Sequence, residues 1–347
     1  MKNWWNPEIF LKNSQNRRIR QTVIRAIRHF FEDELFDEVE TPAIQVCPGM
    51  EVHLKAFETR LDSFFDASSA IRYLHTSPEL SMKKLLVAGC DKIYQLCHTY
   101  RNEEDGQTHL PEFLMLEWYR CNTTYEQMMQ DTIDIVRQAT SACQKKELRF
   151  ENRTSDPFEP WQKLTICDAF ALYANIDLTS CLPETADLEP NPDKIRNEAV
   201  KIGIQCSDSD RFEDIFFRIM LDKIEPFLGD GVPTILYDYP TCLGALARRK
   251  PTDERFVERF EVYACGVELC NAFSELTDAT EQKTRFLHDQ KMKLDLYGQT
   301  YPIDEDFLNA LAYGMPNCSG NALGVDRLVM LISGASNIHD CVWIPKL

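Results

Sequence analysis

The chain has 347 residues, 44% of them hydrophobic, enough for one large domain or two ordinary ones. A formal net charge of −17 argues against a surface that grips an extended polyanion such as a nucleic acid. Its 13 cysteines form no CxxC pair and many sit in apolar runs such as LLVAGC, which argues against a disulfide framework or zinc ribbon and reads as reduced, mostly buried thiols.

The opening residues lack the apolar core of a signal peptide, and no apolar run approaches a membrane span, so a soluble, cytoplasmic protein with no membrane partner is expected. RRIRQTVIRAIRHFF has a helical period, with Ile19, Val23, Ile27 and Phe30 on one side and Arg17, Arg18, Arg20, Arg25 and Arg28 around the rest. It reads as a solvated or subunit-facing helix, or as one that binds a partner. FEDELFDEVETPAIQV then ends the helix and enters a strand around Pro42.

Ile93 to Arg120 reads as two strands joined by a polar loop. Alternation puts Gln95, Thr99, Arg101, Glu103, Phe113, Met115, Glu117 and Tyr119 on one face. The other carries Tyr94, Leu96, Tyr100, Leu114, Leu116 and Trp118, a face suited to packing on helices. By period alone the polar face is equally a solvated surface. Its composition points to a small-molecule site, because Arg, Phe, Tyr and carboxylates together can grip an anion, stack a ring and hold an ammonium.

No linker, low-complexity tract or repeat divides the chain. TSCLPETADLEPNPDK is broken and precedes helical patterns, so residues of about 180–230 read as a helical excursion from a single domain spanning 1–347. In RFEVYACGVELCNAFSEL, Glu261 and Glu268 lie on strands either side of Ala264-Cys265-Gly266; alone, such a pair is commonplace and more often structural than metal-binding. In CSGNALGVDRLVMLISGA a glycine-bearing strand leads through Asp326-Arg327 into an amphipathic helix, which alone can serve packing only.

Taken together, FDEVETPAIQVCPG, YRNEEDGQTHLPEFLMLEWYR and GNALGVDRLVML resemble, in order, the three signature motifs of class II aminoacyl-tRNA synthetases. TSPEL and ELCNAFSEL narrow the resemblance to the lysyl branch, and it covers nearly the whole chain. Only about forty residues precede the first motif, too few for the anticodon-reading OB-fold of the full-length enzymes. The chain therefore looks most like the truncated paralogues that attach (R)-β-lysine to elongation factor P.

The resemblance implies an α+β fold, the class II catalytic core of an antiparallel sheet flanked by helices, in a homodimer joined through the first motif. It implies ATP and Mg²⁺ as cofactors. Arg101 would contact the α-phosphate and the carboxylate being activated, with Asn102 beside it; Glu103 would read the adenine edge. Phe113 would stack beneath the ring and Arg327 above it, while His109, flanked by Thr108 and Leu110, bends over the phosphates. Leu269 and Gly324 complete the nucleotide's surroundings, and Glu261 and Glu268 match the magnesium ligands. Glu117, Tyr119 and Glu275 would hold the terminal ammonium of a lysine-type substrate. Ser77, Pro78 and Glu79 would face the other amine, Asn271 the carboxylate end, and the methyl of Ala322 the space an α-amine needs.

The implied reaction forms an acyl-adenylate from ATP and a lysine-type acid, then transfers the acyl group to a lysine of elongation factor P. A free-standing adenylase that charges tRNA or makes a metabolite is the alternative, with tRNA the less expected acceptor. A catalytically dead module that senses lysine or ATP is a third reading.

Overall fold

The computed structural model describes residues 3–65, 68–244 and 246–345. Its centre is an eight-stranded sheet in the order Asp37–Glu38, Lys92–Tyr100, Glu112–Cys121, Cys318–Gly324, Val267–Ser274, Phe256–Ala264, Thr234–Pro240 and Gln162–Thr165. The six inner strands are antiparallel, as expected; the edge strands Asp37–Glu38 and Gln162–Thr165 pair in parallel, so the sheet is mixed at its margins. A three-stranded sheet of Ile44–Gln45, Ser69–Leu74 and Glu58–Asp62 stands beside it.

The hairpin alternation holds. Gln95 pairs with Glu117 and Thr99 with Phe113 on one face, Tyr94 with Trp118 and Leu96 with Leu116 on the other. The apolar face packs against the helices Ser14–Asp33, Tyr125–Ala142 and Val325–Ser333 in one core that includes Phe31, Leu116, Trp118, Val136 and Leu328. Complete burial of such side chains stabilises by about 1.5–3 kcal/mol each. Trp118 also donates Nε1–H to Asp131 (3.2 Å), which satisfies its polar edge.

On the opposite face, helices Glu79–Val87, Ala279–Tyr297 and Glu305–Gly314 bury Met82, Leu86, Phe286 and Phe307 near one end of the sheet. Helices between Ile166 and Phe227 form a further cluster that shares Leu236, Tyr239 and Val257 with the far strands. The part of this face left between the two groups is open as a cavity.

Two helix arginines turn out to be structural. Arg17 is buried, its guanidinium 3.7 Å from the centre of the Phe10 ring, and Arg20 is buried against Asp326; Arg18 and Arg25 stay exposed, and Arg28 pairs with Glu38. Long aliphatic stems let an arginine occupy an apolar stripe while its head finds a partner, so periodicity alone misplaces these two.

Among the described residues no helix is long and apolar enough to cross a membrane, and all 13 cysteines are free.

Candidate active site

A cavity of ≈ 330 Å³ opens on the polar face and is lined from strands and loops widely separated in sequence. The volume lies within the range of small-molecule sites. A larger cavity of ≈ 690 Å³ lies between the helical excursion and the Ala279–Tyr297 helix, but its cations are engaged by neighbouring carboxylates, Arg249 by Asp187 and Glu281 among them.

At the first cavity's outer end, Arg101 follows directly on the strand Lys92–Tyr100. Its guanidinium lies 5.2 Å from the centre of the Phe113 ring, Nε donates weakly to Thr76 O (3.4 Å), and Nη1 is 3.9 Å from Glu104. These contacts leave most of the five N–H donors of Arg101 for a ligand. Across the opening, Arg327 donates to Glu268 O (2.9 Å), to Thr108 O (3.2 Å) and to His109 Nε2 (2.7 Å). Burial and the adjacent Arg327 cation both lower the His109 pKa, keeping the ring neutral and able to accept that bond. Leu110, Leu269 and Gly324 line the same end.

Asn102 and Glu103 do not line the cavity. Asn102 N–H donates to Lys55 O (2.6 Å), and Glu103, at φ 68°, turns outward to pair with Lys55. The left-handed backbone breaks the alternation that would have kept Glu103 beside Arg101. Glu104 takes the inward position, a residue the strand pattern did not single out.

Glu261 and Glu268 reach one face by an irregularity. Glu261 pairs with Asn271 in strict register, and a bulge near Val262 then sets Tyr263 opposite Glu268, so that Glu268 joins the cavity face although its parity differs from that of Asn271. The turn between these strands carries Cys265 and Gly266 at φ 54° and 74°, as a two-residue hairpin of this hand requires.

Glu261 accepts from Tyr239 (2.6 Å) and Tyr263 (2.8 Å) on Oε2 and from Arg259 (2.6 Å) on Oε1. A carboxylate offers about four lone-pair positions, so one remains. Glu268 is 39% exposed at its side chain, and burial and Glu261 push its pKa up. Two carboxylates that repel one another and retain free oxygen lone pairs fit a hard divalent cation. Among the described residues no three His, Cys, Asp or Glu groups converge to hold a metal, so such an ion would complete its shell with phosphate and water oxygens.

The inner end is built differently. Glu117 is buried and accepts from Tyr119 (2.6 Å) and Ser77 (2.7 Å). Burial and then the charge of Glu79 push its carboxyl up to about 8. Glu275 is buried too, and burial pushes it up to about 7 against the pull of Lys83. Lys83, fully enclosed, bridges Glu79 and Glu275; burial alone would lower its pKa, but the two carboxylates raise it. It sits four residues after Glu79 on one helix, a spacing visible in the sequence but not read from it.

Ser77 thus gives its hydroxyl proton to Glu117 while its oxygen accepts from Glu79 N–H (3.1 Å). Pro78 only precedes the helix that Glu79 begins. Asn271 lines the cavity and accepts from Arg259 Nε (3.1 Å); Ala322 lies between Asn271 and Glu117 in the sheet and lines the cavity with Asn271. Gly320 is a close approach: a β-carbon there would come within 2.3 Å of the Tyr119 ring and 2.7 Å of Glu275 Oε1.

Asp326 joins three elements at this site. One oxygen pairs with Arg20 of the first long helix, and the other accepts from Leu114 N–H (2.7 Å), which fixes the base of the Arg327 helix to the hairpin.

The chain is 37% identical over 340 residues, 97% of its length and 96% of theirs, to proteins named elongation factor P–(R)-β-lysine ligase from Salmonella paratyphi B, Salmonella heidelberg and Salmonella enteritidis PT4. The family model described as tRNA synthetases class II (D, K and N) matches residues 10–347. A cation-rich outer end, an acid-rich inner end and a central antiparallel sheet that carries both accompany those matches, and the chain belongs to the class II tRNA synthetase family of the D, K and N type.

Proposed function

We propose that this protein is an ATP-dependent ligase that activates a lysine-type amino acid, (R)-β-lysine first among them, and transfers it to a lysine side chain of elongation factor P. The observation that carries the reading is the polarity of one cavity. Arg101, Arg327 and Glu268 stand at one end, and Glu79, Glu117 and Glu275 at or behind the other. An amino acid with a carboxylate at one end and an ammonium at the other, set between these groups, has its reacting oxygen at the nucleotide side.

In this reading a substrate carboxylate oxygen attacks the α-phosphorus of ATP, the bond to the bridging oxygen breaks, and pyrophosphate leaves. Arg101 pairs with the developing negative charge and with the attacking carboxylate, as a planar fork can. Phe113 supplies a face for the adenine, and Arg327, released from Thr108 and His109, covers the other. Glu261 and Glu268 would hold Mg²⁺, which supplies charge neutralisation to the phosphates when bound. The neutral amine of the acceptor lysine then attacks the acyl carbon, the bond to the phosphate oxygen breaks and AMP leaves, the nitrogen gives up one proton to solvent, and an amide remains. No covalent enzyme intermediate is needed.

One catalytic domain spanning the chain, a cytoplasmic location and a homodimer belong to the same reading. Thirteen free cysteines suit a reducing compartment. Exposed Ile44, Val46 and Ile71 beside the strand that follows Pro42 supply an apolar surface for a second copy.

The test incubates purified protein with ATP, Mg²⁺ and lysine or (R)-β-lysine, together with either elongation factor P or tRNA. Labelled elongation factor P is expected; labelled tRNA alone would favour the free-standing synthetase, and the absence of amino-acid-dependent pyrophosphate exchange would refute both.

A further inference from the structure

We infer that Glu51 is a substrate-binding residue, which with Glu79 forms the anionic pocket for the amine nearest the reacting carboxylate. This deepens the ligase reading and rests on it. Glu51 comes from the loop after the first motif and lines the active cavity. Its Oε2 is enclosed and has no hydrogen-bond partner. A carboxylate oxygen is costly to enclose unpaired, so the position points to a ligand that supplies the missing donor.

The neighbours define that donor. Glu79 lies close enough, with burial the larger cause, to push the Glu51 carboxyl up, while Arg101 and Lys293 pull it down. Glu51 lines the cavity together with that second carboxylate and with the guanidinium proposed to take the substrate carboxylate. A group that satisfies both acids beside that guanidinium is an ammonium separated from a carboxyl by one or two carbons, as in an α- or β-amino acid. Ser77, the other group available at this point, has its hydroxyl committed to Glu117.

The loop is held in place for this task. Lys293, buried on the Ala279–Tyr297 helix, donates to the carbonyls of Glu51 (3.1 Å), Val52 (2.8 Å) and Leu54 (2.6 Å). Gly49, at φ 148°, leaves room on the other side: a β-carbon there would stand 2.5 Å from Glu51 Oε2 and 2.5 Å from Thr76 Oγ1. One lysine thus fixes the backbone while a missing side chain makes space for the carboxylate. An acid merely tolerated at a surface would need neither.

With Glu117 behind Ser77 and Ala322, which line the cavity, the assignment gives a diamino acid one acid for each of its amines. The experiment compares wild type with Glu51→Gln and Glu51→Asp, using calorimetric binding of lysine and (R)-β-lysine without ATP, and pyrophosphate exchange with ATP. The probe 6-aminohexanoate, which lacks the amine in question, is run alongside.

Glu51→Gln is expected to weaken both diamino acids about 10- to 100-fold. The KM for ATP and the binding of 6-aminohexanoate should be unchanged, and the melting temperature equal or higher because a like-charge contact is relieved. Glu51→Asp should recover part of the loss. Diamino-acid affinity within twofold of wild type in Glu51→Gln, or an equal loss for 6-aminohexanoate, overturns the assignment. If wild type binds lysine and Glu51→Gln does not, but neither exchanges pyrophosphate, this assignment stands and the ligase reading fails.

Discussion

The two ends of the catalytic cavity hold their charges in opposite ways. At the outer end the Arg101, Arg327 and Glu268 side chains are 24%, 20% and 39% exposed, and apart from the Arg327 bonds to His109 and to Glu268 O their contacts are long or go to loop carbonyls. At the inner end Lys83 and Glu275 are 0% and 1% exposed, and Glu117 has donors on both oxygens. Water screens the outer charges and lets them change partners at low cost, so that end can exchange loop contacts for a triphosphate. The inner charges are desolvated, and each depends on its neighbour being present. In the proposed reaction the outer end would do chemistry on a ligand that enters and leaves, and the inner end would recognise one.

Substitutions at the two ends should therefore fail differently. The largest effect is expected for Glu268→Gln at the outer end. It should lower lysine-dependent pyrophosphate exchange by about 10²–10³-fold, the range for loss of one electrostatic contact to a developing charge, with the melting temperature unchanged. Exchange within tenfold of wild type would remove Glu268 from the metal site.

Lys83→Met at the inner end should show the reverse pattern. Removing one partner of a buried pair typically costs about 3–5 kcal/mol of stability, and here it leaves Glu79 and Glu275 facing each other without a cation. Denaturant unfolding should report this loss, and the amino-acid KM should rise while the KM for ATP stays. A variant as stable as wild type would mean that the pair is solvated.

Ala322→Gly tests discrimination between substrates. The Ala322 methyl stands between Asn271 and Glu117 in the sheet, and in the proposed ligase it would crowd an amine on the α-carbon more than one on the β-carbon. Wild type is expected to prefer (R)-β-lysine, and Ala322→Gly to shift the ratio of kcat/KM values by about 1–3 kcal/mol towards α-lysine. An altered melting temperature with an unaltered ratio would make Ala322 a packing residue only.

The smallest effect is a pH dependence. The folded Glu117 pKa, about 8, lies above its ordinary 4.5, so its contribution to stability is present below pH 4.5 and is lost as pH rises through 8. Binding runs the other way: an ammonium requires the ionised carboxylate, so the substrate displaces a proton below pH 8. Affinity for lysine should rise about fivefold from pH 7 to pH 8, with proton release detectable by calorimetry in two buffers. Glu117→Gln should bind more weakly and without that slope; a slope that persists in it would assign the proton elsewhere.

The hairpin was legible because a strand obeys a period of two: from Gln95 to Tyr119 the facing residues fall where alternation puts them. Departures from regular backbone were not. Glu103 leaves the site at a positive φ, and Glu268 enters it through a bulge; the sequence paired Glu268 with Glu261, and the family resemblance gave the pair its expected role. Arg17 and Arg20 were misplaced because an arginine satisfies helical periodicity with its charge on either side. Glu51 gave no local signal at all, since what marks it is an enclosed oxygen and a lysine some 240 residues away.

The shared carboxylate of Asp326 has a practical consequence for handling the protein. Arg20 is 306 residues away in sequence, yet it balances the oxygen opposite the one that holds Leu114. Trimming the amino terminus into the first long helix, or attaching a bulky tag that displaces it, would release one side of that clamp and let the base of Arg327 drift. A shortened preparation could then retain its circular-dichroism spectrum and still turn over slowly. Arg20, on the first long helix, is part of the base on which Arg327 stands.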